Sequence, residues 1–518
     1  MNPATIDVGA PLTPHDIIAV ARSGAQVTVG DDAMERVKRA SDLVESLADD
    51  PAPHYGISTG FGALASTRVP RDHRVALQHS LIRSHAASTG PRVETEVIRA
   101  MMTLRLKTMA SGHTGVRPEV VTAYADLLNS GLVPIVGEYG SLGCSGDLAP
   151  LAHCALVLTG EGTVLTPDGG EVDAATGLAQ AGLTPIALRE KEGLALINGT
   201  DGMLGQLIMA LADLDVLVPT ADLATAMTVQ ALCGIDRVFA PDLQALRPHP
   251  GQGVSAANIL ALLEGSDLIQ AGREGAVKRV QDAYSLRCAP QVHGAVRDTM
   301  AHALQVAKVE LASAVDNPVI TDDMRVESNG NFHGAPVAYV LDFLAIAAAD
   351  LASMSERRTD RMLDPARNRD LHPFLADNPG VDSGHMIAQY TQAGIVSEMK
   401  RLAVPASVDS IPTSAMQEDH VSMGWSAARK LRRGIDGMGA VIGIEILTAA
   451  RAIQMRGLEP SKPVADVTAR MRQTIPGPGP DRFLSPEIDE AHRLVTSGEL
   501  LEVVRQQVEV RSSPPTRG

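Results

Sequence analysis

A chain of 518 residues with a formal charge of −16 and no basic run longer than residues 430–433 is a poor candidate for nucleic-acid binding, which depends on clustered Lys and Arg. Its longest apolar stretches are broken by Asp213, Asp215 or Glu445, so no membrane span is expected, and the N-terminus has neither the basic nor the apolar segment of a leader. These features point to a cytoplasmic protein whose partner is a small molecule or another copy of itself.

Hydrophobic residues form 45% of the chain, enough for one very large core or two to three domains. Aromatics are only 3% against abundant Ala, Leu, Val and Met, so helix should dominate. In chain order, Thr13 is placed to cap a helix with Pro14 in its first turn, and Val37, Ala40, Val44 and Leu47 follow at helical spacing. Residues 51–200 are richer in Gly and Pro, and 162–174 read as a β-hairpin around Asp168-Gly169-Gly170. Leu204, Leu207, Leu211, Leu214 and Val218 then mark a long helix up to a kinking Pro219. Residues 339–358 look like another. A third apolar stripe runs from Leu431 through Ile435, Met438, Ile442, Ile446 and Ala449 to Ile453, ended by Gly457 and Pro460.

The expected fold is therefore mainly α: a smaller N-terminal α+β region over 1–200, a long-helix bundle with C-terminal helices over 201–510, and a frayed tail over 511–518.

Several short patterns compete for the chemistry. Residues 56–60 satisfy G-x-S-x-G with Ser58 as nucleophile, but no apolar strand precedes them, as a hydrolase elbow requires. Fifteen histidines include no HExxH, and the four cysteines (Cys144, Cys154, Cys233, Cys288) form no CxxC pair, so neither metal nor disulfides are expected. The charged triplet 418–420 reads most simply as a solvated helix start.

Cys144-Ser145-Gly146 is more informative. A thiol just before a helix N-terminus could be an activated nucleophile, although a buried inert cysteine is the commoner state. The tripeptide offers a different chemistry. Attack of the Gly146 amide nitrogen on the Cys144 carbonyl carbon closes a five-membered ring, and loss of water plus the Ser145 hydroxyl leaves an exocyclic methylidene, an electrophile made from backbone. Only glycine at the third position allows so close an approach. Asp147 is expected to cap the following helix, whose positive end would strengthen the electrophile.

Residues 140–153, GSLGCSGDLAPLAH, resemble the signature of the aromatic amino-acid ammonia-lyases and aminomutases, where Ala-Ser-Gly usually cyclises to the 4-methylidene-imidazole-5-one (MIO) group. Cys144 departs from that pattern only in a side chain the ring does not consume. Further matches follow in the family's order: HYGISTGFG (54–62), SHAASTG (84–90), LINGTDGM (196–203), VQDAYSLRCAPQ (280–291), DNPVI (316–320), GNFHGAPVA (330–338) and SAMQEDHVSMG (414–424). They span roughly residues 50–455.

The resemblance implies an MIO group formed from Cys144-Ser145-Gly146, no metal or external cofactor, and a homotetramer with sites shared among subunits. It is strongest to the histidine-specific members, which implies elimination of ammonia from L-histidine to trans-urocanate; an aminomutase or a tyrosine or phenylalanine lyase is the alternative. It makes Tyr55 the catalytic tyrosine, with Tyr284 and Glu418 as further catalytic candidates. A free phenol ionises near pH 10, so keeping Tyr55 ionised at neutral pH would take roughly 4 kcal/mol of local stabilisation. Arg287 would hold the substrate carboxylate, with Tyr284 and Gln281 on the same helical face; Asn198 would lie near the MIO group or the carboxylate, and Phe332 against the substrate ring or the cofactor. His85 and Glu418 would select the imidazole, since a carboxylate suits its N–H better than it suits benzene. Met399 and Met416 stand where the resemblance calls for asparagines.

Overall fold

The Thr13 side chain accepts from the Asp16 backbone N–H, and Asp16 returns a 2.7 Å bond to the Thr13 N–H, so a capping box starts the Pro14–Ser23 helix. The computed structural model, which describes residues 5–48, 50, 54, 56–59, 69–274 and 280–512, is mainly α throughout. The chain divides into two compact units, each built from three stretches of sequence. A single break at residue 200 does not describe that division.

The first unit comprises Met1–Met209, Leu304–Leu341 and Pro405–Arg429. It contains every strand among the described residues, all of two to four residues. Thr5–Asp7 and Gln26–Thr28 pair in parallel, and the remaining pairs are antiparallel. The expected hairpin forms, with Thr163–Leu165 against Glu171–Asp173 and Val133–Pro134 added at its edge. The core gathers around the Thr95–Ala110 helix, whose Val97, Ile98, Met101, Met102, Leu106 and Met109 are buried against apolar residues of Pro118–Asn129 and Leu148–Leu158. Apolar burial of this extent supplies the unit's main stabilisation.

The second unit comprises Ala210–Ala303, Asp342–Val404 and Lys430–Gly518. Long helices dominate it, and the Leu431-to-Ile453 stripe lies on the Gly424–Arg456 helix with every named residue buried. Gly457, at φ 65°, follows that helix in the left-handed conformation expected of a C-terminal glycine. Two polar clusters are fully buried here, Arg358 with Glu445 and Asp222 with His293 and Arg297.

Two expectations need correction. The Asp201–Ala231 helix does not stop at Pro219 but continues twelve residues beyond it. Proline lacks the N–H that would bond the carbonyl four residues back, that of Asp215, and Ser512 Oγ donates to this carbonyl at 3.0 Å. The same bond shows that residue 512 is no frayed end: Arg511 also exchanges backbone bonds of 3.0 and 2.9 Å with the Asn258 side chain. Residues 513–518 lie outside the described part. Ala335–Leu363 and Gly424–Arg456 are long and apolar enough to cross a membrane, yet 61% and 83% of their most apolar windows are buried within the chain, as in core helices.

Candidate active site

The loop carrying Cys144-Ser145-Gly146 is fixed at both ends. The Gly137–Tyr139 strand leads into it, paired to Thr89–Arg92, and the Leu148–Leu158 helix follows. Between them, Met423 N–H donates to the Leu142 carbonyl at 2.8 Å, Ser422 Oγ to the Gly143 carbonyl at 2.8 Å, and Trp425 Nε1 to the Glu138 carbonyl at 2.7 Å. The segment 422–425 therefore holds the loop by its backbone.

Gly146 adopts φ 76°, a left-handed conformation, and a Cβ added there would sit 2.1 Å from the Gly199 carbonyl oxygen. No other residue type fits so close an approach. The Gly199 carbonyl also accepts the Asp147 N–H at 2.7 Å, so the two strands of backbone are pressed together. Asp147 does not cap its own helix. Its buried carboxylate accepts from Ser141 Oγ at 2.8 Å and from the Met203 N–H at 2.8 Å, in the first turn of Asp201–Ala231. Burial pushes its carboxyl up to about 7, against the pull of those donors.

Glu418 is the residue that the fold brings to this loop. Its Oε1 accepts from Ser145 Oγ at 3.0 Å, and its Oε2 from Cys144 Sγ at 3.1 Å and Thr413 Oγ1 at 3.0 Å. It is half-buried in a tight loop closed by a bridge to Thr413, not at a helix start. Burial, reinforced by Glu418, pushes the Cys144 thiol up to about 12, the reverse of an activated thiolate. His85 ends the Arg74–His85 helix with Nδ1 2.8 Å from the Leu81 carbonyl; burial lowers its pKa while that bond and the Glu418 charge oppose the shift.

Asn198 is buried, its Nδ2 3.4 Å from the Asn317 carbonyl and its Oδ1 without a partner among the described residues. Arg105, fully buried, donates to the Asn198 carbonyl at 2.7 Å and the Val315 carbonyl at 2.8 Å. Phe332 is half-buried in the turn before Ala335–Leu363, and the next residue, His333, stacks on His420 with centroids 5.3 Å apart. Sequence reasoning missed Thr413, Ser141, Arg105 and this histidine pair. Arg105 and the histidines meet partners at least 87 positions away, and Thr413 and Ser141 meet theirs through loop conformations that no residue pattern announces.

Gln281, Tyr284 and Arg287 belong to the second unit. Tyr284–Arg287 is a four-residue helical turn, with the Arg287 guanidinium 4.6 Å over the Tyr284 ring. Gln281 precedes that turn in irregular chain, so the expected helical face does not reach it. Among the described residues nothing accepts a hydrogen bond from Arg287, and its Nε is buried without a partner. That leaves an open guanidinium fork suited to a carboxylate. Met399 is buried and Met416 exposed. Tyr55 lies outside the described residues. Ser58 is fully buried, its Oγ accepting from the His54 N–H at 2.9 Å, so it is not an exposed nucleophile.

The pattern for the family described as aromatic amino acid lyase matches residues 12–473. A histidine ammonia-lyase of Streptomyces avermitilis is 62% identical over 96% of this chain and 98% of its own length. Another, of Symbiobacterium thermophilum, is 46% identical over 96% and 98%. Among solved structures, histidine ammonia-lyase from Trypanosoma cruzi superposes with a TM-score of 0.89 at 38% identity, covering 98% of this chain and 96% of that one. Tyrosine aminomutase from Streptomyces globisporus gives 0.91 at 36%, covering 98% and 100%.

Proposed function

Because this chain belongs to the aromatic amino acid lyase family, we propose that it is a carbon–nitrogen lyase that eliminates ammonia from L-histidine to give trans-urocanate. The observation that carries the substrate choice is the Glu418 carboxylate set against Cys144 and Ser145 with His85 as its charge neighbour. An imidazole N–H can donate to that carboxylate, whereas a phenyl ring offers it no donor and excludes water from it.

The residues present fit the MIO group. Gly146 has both the backbone conformation and the crowding that exclude a side chain, and Ser145 carries the hydroxyl that must leave. Formed from Cys144, Ser145 and Gly146, the group supplies an electrophile for the substrate's amine, which turns ammonia into a better leaving group. The other steps fall to this chain's side chains. Tyr55 takes the weakly acidic β-proton, and Glu418 receives the imidazole and assists proton transfer. Arg287 pairs with the substrate carboxylate, Tyr284 and Gln281 lie beside it, and Asn198 and Phe332 complete the surroundings. We place the enzyme in the cytoplasm as a homotetramer whose subunits share sites.

Incubation of the purified protein with L-histidine tests this reading. Urocanate absorbance accompanied by ammonia is expected, and a β-amino acid in their place would convert the assignment to an aminomutase. The intact subunit should weigh two waters less than its sequence, with Ser145→Ala restoring the full mass and abolishing activity. An active wild type at unmodified mass would sink the mechanism.

A further inference from the structure

Arg358 and Glu445 form a fully buried pair in the second unit, with Nε to Oε1 at 2.6 Å and Nη2 to Oε2 at 2.8 Å. Each carboxylate oxygen takes a second donor, Thr228 Oγ1 at 2.7 Å on Oε1 and Ser355 Oγ at 2.6 Å on Oε2. A buried pair of this kind adds little net stability over an apolar pair of the same volume, so its presence calls for another explanation. The one donor of Arg358 that turns away from Glu445, Nη1, reaches the Ser285 carbonyl at 3.3 Å.

Ser285 lies inside the Tyr284–Arg287 turn. Four residues cannot hold a helical turn by themselves. Its local bonds are few: the Leu286 and Arg287 N–H groups donate to the Ala283 carbonyl at 3.0 Å each, and Cys288 N–H to the Tyr284 carbonyl at 2.9 Å. Upstream, Asp282 is anchored by the Ile235 N–H at 2.6 Å. We propose that Arg358, clamped by Glu445, is a positioning residue that fixes through the Ser285 carbonyl the turn presenting Arg287 to the substrate carboxylate. The proposal rests on the reading of Arg287 given above. The clamped pair supplies a rigid, directional donor, which an apolar pair could not, and Arg287 stays unpaired because its orientation comes from the turn and the Tyr284 ring.

The test compares L-histidine with histamine, which keeps the imidazole and lacks the carboxylate. In the intact enzyme, Arg358→Met is expected to raise the KM for L-histidine by about tenfold with kcat within about threefold, while inhibition by histamine is unchanged. The paired replacement R358M/E445L keeps the volume without a buried charge and should behave alike, so a poorly folding single variant does not end the test. In an Arg287→Met background, Arg358→Met should add almost nothing. Unchanged KM in R358M/E445L, or equal weakening of histidine and histamine, would overturn the proposal alone. A wild type with no preference for L-histidine over histamine would overturn the carboxylate role of Arg287, and this inference with it.

Discussion

Cys144 contributes more than the carbonyl its place in the tripeptide requires. Its thiol is one of three donors on Glu418, beside Ser145 Oγ and Thr413 Oγ1, and ring formation would consume the Ser145 hydroxyl and leave the other two. Cys144→Ala should therefore lower kcat/KM for L-histidine by roughly threefold to tenfold, the loss of one weak S–H hydrogen bond worth about 1 kcal/mol, while the two-water mass loss persists. Unaltered kinetics in that variant would show that the thiol does nothing for Glu418. The tripeptide and Glu418 were legible because they lie in motifs whose chemistry needs those residue types. The bonds around them were not: Thr413 donates to Glu418 within its own loop, and the Asp147 carboxylate accepts from the first turn of a helix that begins 54 residues later. A residue at an N-cap position announces only that its carboxylate needs N–H groups, not whose.

At the scale of elements, periodicity identified the long helices because their apolar stripes are buried along their full length. It failed at Pro219, where a local rule said stop. Packing on both sides of the proline outweighs one absent bond, and Ser512, 297 positions away, donates to the Asp215 carbonyl. Ser512→Ala is expected to reduce stability by about 1 kcal/mol in denaturant unfolding. The same change should cost less in a Pro219→Ala background, where residue 219 regains its N–H and only the Arg505 bond to Ser512 Oγ is lost; equal costs in both backgrounds would separate Ser512 from the proline. The Tyr284–Arg287 turn was legible as a helical face, but Gln281 was wrongly added to it because three-residue spacing says nothing of where a short turn begins.

For the molecule as a whole, buried ionisable groups set how stability follows pH. His385 is held down to about 3, by burial first and then by Arg451, Arg482 and Arg472. The unfolded chain binds a proton at this residue from about pH 6.5 downward while the folded chain does not, so its contribution is whole above that pH and is lost as pH falls toward 3. Asp147, raised to about 7, acts in the opposite sense: its contribution is whole below about pH 4 and is lost as pH rises to 7. His385→Gln should flatten the acid limb of the stability curve, recovering up to about 4 kcal/mol of the loss between pH 6.5 and 3 relative to wild type. A variant whose curve runs parallel to wild type would contradict that assignment.

Composition pointed to a mainly α protein because aromatics are few against abundant Ala, Leu, Val and Met. It was silent on the division into two discontinuous units, since packing between distant stretches of chain leaves no local mark. The same distance has a consequence in time. Ser145 and Glu418 are 273 positions apart, and Ser414, Ala415 and Met416 all take positive φ in the loop that turns Glu418 back to Thr413. At ribosomal rates of roughly 5–20 residues per second, the tripeptide is synthesised about 14–55 s before its carboxylate exists. For that interval the nascent chain carries the makings of an electrophile without the group that will govern it, and the direction of translation sets the order in which the two can meet.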